Sequence, residues 1–366
     1  AAMERVPQVG TLPDPQCAFG YFINPVETRL GPQRVSLGLS QAFPWFGTLG
    51  AKKDAMSQMA QSRFELFENA RSDLFFDVKT AYYNYYFIER AIEITRENME
   101  ILNIFRNLSL VKIEAGTASM VDELRVELEL NDLENQLALF IDSKEVFKTR
   151  FNNLLNRDNS AQVEVPDELT EEKMPYESLT LLDSILISNR ELRSLDHKLE
   201  SFRGQEAVAQ KSGLPGFSIG MNYIVIGENS SSADPDNGKD AFLFPSIGVS
   251  IPIYRKKYRS MIKEAEYMQQ AVAAEKVDKR NSLSTLFENN MKDFRDSDRR
   301  LSLNEQQSEI ANKVLDILIT SYSTNSNDFE EVLRIERQLL GYRLAKERAL
   351  IDKNVSVAFM NYLLGR

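Results

Sequence analysis

The chain has 366 residues, a formal net charge of -10 and a mean hydropathy of -0.35, with one cysteine and one histidine. That length allows two or three ordinary domains or one elongated one, and the acidic balance without a Lys/Arg stripe argues against a nucleic-acid partner. A lone Cys17 and a lone His197 exclude an intrachain disulfide and a Cys/His zinc site. Apolar runs such as LLDSILIS (181–188) fall far short of the roughly 18 residues of a spanning helix, although a barrel strand carries a much weaker signal.

In chain order, CAFGYFI (17–23) and RVSLGLSQAF (34–43) read as strands around the turn-rich NPVETRLGPQ. Cys17 reads as a small strand residue. A long helix follows, from about Ala51 to Glu114, or roughly 90 Å at 1.5 Å per residue. Helices of that length need a coiled or bundled assembly. The reversal EAGTAS leads into a second helix of about 40 residues. On it Leu133, Leu137, Phe140, Phe147, Phe151 and Leu154 follow heptad spacing, interrupted by Lys144. Residues 157–175 read as a polar, acidic connector. A helical segment from Tyr176 to about Lys211 carries His197 on a solvated face. Then strands 216–227 and 241–251 flank ENSSSADPDNGKD, before a helix from Lys257 to Tyr322, the reversal STNSND and a last helix.

The order of elements repeats, and so does the sequence. NNLLNR (152–157) and NYLLGR (361–366) lie 209 residues apart. The same offset pairs Lys144 with Lys353, Leu130 with Leu339, and Leu124-Arg125-x-Glu127 with Leu333-Arg334-x-Glu336. Near the strands it drifts by one, so that Ser36-x-Gly38-x-Ser40 matches Ser246-x-Gly248-x-Ser250 at 210. The reading is a first repeat over 1–157, an acidic linker over 158–175 and a second repeat over 176–366, interleaved into one structural unit. Only the second repeat has a helix ahead of its strands, and the offset carries its counterpart upstream of Ala1. One further helix is therefore expected there.

Each strand pair alternates apolar with small polar residues: Ile247, Val249 and Ile251 against Ser246, Gly248 and Ser250. Such strands suit an ordinary antiparallel sheet with a core face, or a barrel with lipid outside and water inside. Four strands are too few to close a barrel, and a lone sheet on such helices has little to pack against. Three chains would supply twelve strands. The expected fold class is mainly α with β: a duplicated strand–strand–long helix–helix unit that trimerises into a twelve-stranded β-barrel and a long α-helical barrel.

The motif Ser-x-Gly-x-Ser followed by Pro44-Trp45-Phe46 or Pro252-Ile253-Tyr254 before a long helix, duplicated along the chain, resembles the TolC-type outer-membrane efflux proteins. The turn EAGTASMVDELRVE (114–127) fits the same pattern. The resemblance implies a homotrimeric exit duct in outer-membrane lipid of a Gram-negative bacterium, with helices crossing the periplasm. It would work with a periplasmic adaptor and an inner-membrane transporter, in efflux or type I secretion. It implies lumen-facing Ser36, Gly38, Ser40, Ser246, Gly248 and Ser250. It also implies a periplasmic aperture held by a tyrosine and carboxylates. These fall on Tyr322, Glu331 and its repeat partner Asp122, with Arg334 where the family has a second carboxylate, Arg125 its repeat partner, and Asp328 a further aperture candidate. The helix-turn tips are Gly116, Ser119 and Asn325.

Ser119-x-x-Asp122 and Asp328-x-x-Glu331 equally resemble capping boxes. The aromatic run FFDVKTAYYNYYF (75–87) reads as packing between helices. No catalytic template is complete, no metal cluster or cofactor motif occurs, and the scattered methionines form no MxxM pattern. The reading is a conduit, not an enzyme. The alternative is a soluble coiled-coil scaffold with a small sheet.

Overall fold

The computed structural model describes residues 1–175, 178–229, 235–323 and 329–366, with backbone only for Ser178 and Leu179. In chain order these form α1 (Arg5–Val9), β1 (Gln16–Tyr21), β2 (Glu27–Thr28), β3 (Gly31–Phe43), α2 (Thr48–Glu114) and α3 (Met120–Leu154). Then come α4 (Ser178–Ser188), α5 (Arg190–Ser212), β4 (Gly216–Ile226), β5 (Ala241–Ser250), α6 (Arg255–Ser323) and α7 (Phe329–Leu363). Two compact units result, residues 1–66 with 191–279 and residues 67–190 with 280–366. Each unit draws on both repeats, so the repeat boundary is not the boundary between compact units.

The first unit holds an antiparallel sheet in the order β1-β3-β4-β5, with the two-residue β2 against β3. Below it α5 lies close against α2, because small residues line the contact. A Cβ added to Gly204 would come 2.8 Å from that of Ala55, and Ser201 Oγ donates to the Ala55 carbonyl at 2.8 Å. Ser62 and Ser194 hydroxyls meet at 2.9 Å, and buried Glu65 is paired with Arg193 at 2.7 Å. His197 is half-buried here and its Nδ1 lies 2.8 Å from Gln58 Oε1, so it is not on a solvated face.

The second unit is a helical bundle around Leu102, Val126, Leu133, Leu315, Phe329, Val332 and Leu339. The heptad positions of α3 form its buried and half-buried face, with Leu133 and Phe151 fully inside. The 209-residue offset returns here as matched interactions. Lys144 pairs with Glu89 at 2.7 Å, and Lys353 pairs with Asp298, their counterparts, also at 2.7 Å. Both final turns close the same way. Asn156 and Gly365 take positive φ (52° and 73°), and Arg157 N and Arg366 N donate back to the Asn152 and Asn361 carbonyls. This is the left-handed C-cap that Asn tolerates and Gly favours.

Two further expectations change. The single helix over 176–211 breaks at Asn189, whose amide turns away to donate to the Leu363 carbonyl at 3.0 Å. The acidic connector is not a free linker. Leu169 N donates to Tyr86 Oη, Tyr83 Oη donates to Glu172, and Asn354 bonds both Glu172 N and the Thr170 carbonyl. Part of the aromatic run thus binds the connector, with Val165 and Leu169 packed on Tyr83, Tyr86 and Ile351.

Candidate functional site

The sheet separates two chemistries by strand parity. On one face Gly20 pairs with Ser36, Ala18 with Gly38 and Gln16 with Ser40. The same face continues through Asn222 and Gly220 to Ser246, and through Ser218 and Gly216 to Gly248 and Ser250. All six strand residues singled out in the sequence therefore share one small, polar face. It is tightly built: a Cβ on Gly220 would sit 2.8 Å from the Leu39 carbonyl oxygen. The opposite face carries Phe19, Leu37, Leu39, Met221, Tyr223, Ile247 and Val249, between 38% and 72% exposed. Among the described residues β1 and β5 each pair on one side only, leaving two open edges. An apolar face of this size, left in the open beside free edges, calls for a covering layer.

The turn between α2 and α3 is built by Gly116, at φ 71°, with its N–H and that of Thr117 closing onto the Ile113 and Lys112 carbonyls. Ser119 caps α3 by accepting from Val121 N at 3.2 Å. Asp122 supplies no reciprocal cap; its Oδ1 lies 3.7 Å from Arg125, so only half of the capping box forms. Arg125 also reaches Glu330 at 2.9 Å and ties α3 to α7. Glu331 accepts from Nε and Nη2 on one edge of the Arg334 guanidinium. That hydrogen bonding holds the Glu331 carboxyl below the usual carboxylate range and Arg334 above its own. Asn325 and Asp328 lie outside the described residues.

Tyr322 is 4% exposed and packs on Phe329 with tilted rings, centroids 4.9 Å apart. Lys112 Nζ sits 4.0 Å over its ring and donates to its carbonyl. Burial first, then the charge of Asp122, pushes the phenol up. Its hydroxyl has no partner among the described residues.

No protein-family model matches the sequence, and no curated protein matches it. Solved structures do match. A membrane protein from Pseudomonas aeruginosa superposes with a TM-score of 0.77 at 16% identity, over 99% of this chain and 87% of that one. The outer membrane protein VceC from Vibrio cholerae gives 0.75 at 15%, over 99% and 89%. The MtrE outer membrane channel of Neisseria gonorrhoeae, in its open state, gives 0.76 at 18%, over 99% and 82%. The chain has the fold of the TolC-type outer-membrane channels.

Within this TolC-type fold, the sequence-derived tip residues Asp122, Arg125, Glu331 and Arg334 gather at the starts of α3 and α7, while Tyr322 belongs to the core of its own chain. Three features escaped the sequence reading. Glu330 is the partner of Arg125, and Arg337 grips buried Glu129 through its Nε at 3.0 and 3.1 Å; no sequence signal pairs residues on different helices. The third is Glu336, 1% exposed, which accepts from Asn98 Nδ2 at 2.6 Å and has an unpartnered Oε2. Burial pushes its carboxyl up to about 7 against the opposing charge of Arg343. Its place on the face of Val332, Leu339 and Leu340 was a readable signal. Its repeat partner Glu127 is exposed.

Proposed function

We propose that the chain is the protomer of a homotrimeric exit duct in the outer membrane of a Gram-negative bacterium. In this reading it passively conducts substrates delivered by an inner-membrane transporter through a periplasmic adaptor. The observation that carries this is the open sheet: one exposed apolar face, one small polar face, two free edges, and strands that hand over to helices of 67 and 69 residues. Joining β1 of one copy to β5 of the next removes both edges, and three copies of a four-stranded path give a twelve-stranded barrel. The apolar face then meets lipid and Ser36, Gly38, Ser40, Ser246, Gly248 and Ser250 line water. On α6, Leu303, Ile310 and Ile317 recur every seven residues and are 51%, 60% and 68% exposed. That seam suits a neighbouring copy. Among the described residues no helix is long and apolar enough to cross a membrane.

The tip residues Asp122, Arg125, Glu331 and Arg334 are proposed to set the charge of the periplasmic aperture. Tyr322 would hold it indirectly, by fixing the ends of α6 and α7. The test is the mass of the full-length protein recovered from membranes, by light scattering in detergent, followed by single-channel conductance. A three-chain particle released only by detergent supports the duct. A water-soluble particle of one or two chains overturns it and favours the scaffold. Within the duct, Arg125→Ala should raise cation conductance, since it removes a positive charge beside Asp122 and Glu330.

A further inference from the structure

The first turns of the long helices differ in charge. Helices α3 and α7 begin with acidic residues, Asp122 and Glu123 or Glu330 and Glu331, as the positive end of a helix dipole favours. Helix α6 has no acid in its first turn and begins instead with Arg255, Lys256 and Lys257, followed by Arg259. Four cations in five residues therefore oppose the local helix preference, in a chain of net charge -10. All four are exposed, and among the described residues no carboxylate pairs with any of them. Arg255 donates to the Gly213 carbonyl at 3.2 Å, and Lys257 Nζ lies 5.8 Å from the centroid of the neighbouring Tyr258 ring.

The cluster directly continues the exposed apolar face. Ile251, Ile253 and Tyr254, 66%, 70% and 78% exposed, precede it without a break. Trp45 stacks on Phe217 at 5.9 Å, with Phe46 beside both rings. Phe217 belongs to the apolar face by its register with Val249 and lies four residues from Gly213. Apolar residues, then a group of aromatic rings, then unpaired cations is the order of layers met on leaving a bilayer.

We propose that Arg255, Lys256, Lys257 and Arg259 form a docking surface for anionic phospholipid, binding headgroup phosphates of the phosphatidylglycerol class at the edge of the hydrocarbon layer. The inference rests on the reading that the sheet lies in a membrane. It adds that the junction of strand and helix selects lipid by charge. The phosphates supply the negative charge that the start of α6 lacks, and the apolar face fixes their depth. Lysine makes point contacts and arginine two-pronged ones, so both suit a mobile layer of phosphates.

Trp45 is the only tryptophan in the chain and stacks on Phe217, four residues from the Gly213 that Arg255 bonds, so it reports the lipid at this end of the sheet. The full-length protein is reconstituted into vesicles of phosphatidylcholine and phosphatidylglycerol at equal fractions, with one or the other lipid brominated to quench tryptophan. At low salt, brominated phosphatidylglycerol should quench more, with a local preference of about fivefold for each cation that reaches the phosphates. The preference should collapse at high salt, a condition that needs no variant. It should also fall toward unity in K256Q/K257Q/R259Q, which alters only exposed side chains and spares Arg255. Equal quenching by the two lipids in the wild type, or a preference unchanged by salt and by the triple variant, overturns the docking surface and leaves the membrane reading intact. No quenching by either lipid places Trp45 outside the bilayer and overturns both.

Discussion

Replacing Glu336 by Gln should flatten part of the pH dependence of stability. Glu336 is 1% exposed inside the second unit, with one hydrogen bond from Asn98. Its carboxyl rises from 4.5 to about 7 because burial disfavours the charged form, with Arg343 partly opposing. At about 1.4 kcal/mol per unit, the shift corresponds to roughly 3 kcal/mol. The folded chain holds this proton more tightly than the unfolded one. The stabilisation is therefore fully present below pH 4.5, declines as the unfolded carboxyl ionises, and is gone above about pH 7. A glutamine keeps the acceptor for Asn98 and cannot ionise. Its amide takes the place of the unpartnered Oε2, an orphan polar group costing about 1–3 kcal/mol in either residue. Glu336→Gln should thus equal the wild type or fall slightly below it at pH 4.5, and exceed it by about 1–3 kcal/mol at pH 8. Denaturant midpoints followed by helical circular dichroism at both pH values would measure this, with the wild-type difference cancelling every other titrating group. Parallel pH profiles for the two proteins, or a glutamine variant weaker at pH 8, would refute the buried-proton argument.

The remaining predictions concern packing, backbone and the sheet's outer face. Phe329→Ala removes a ring that is fully buried against Tyr322, and should cost about 3–5 kcal/mol in the same denaturation assay. Gly116→Ala meets no atom within 4 Å, so only the positive φ opposes it; a loss of about 1–2 kcal/mol is expected, read from hydrogen exchange in the tip. Leu37→Lys puts a charge in the middle of β3 on the apolar face. In vesicles it should destabilise the assembled protein by about 2–4 kcal/mol, whereas in an exposed aqueous sheet the change would be nearly neutral.

The sequence alone determined what depends on local pattern. Alternation between small and apolar residues fixed the two faces of the strands, because parity along a strand is a property of the chain itself. Heptads on α3 fixed its buried stripe, and the 209-residue repeat located the paired Lys144 and Lys353 and the two matching C-caps. Only the tertiary structure decided which polar groups meet across helices. Glu127 and Glu336 occupy equivalent positions in the repeat, yet one is exposed and the other sits in the core beside Asn98. The acidic connector likewise looked like any solvated linker until Tyr83, Tyr86 and Asn354 were seen to bind it. Repeated sequence preserves each helix's own geometry. Burial is set by the neighbours a helix receives, and those differ between the two halves of the chain.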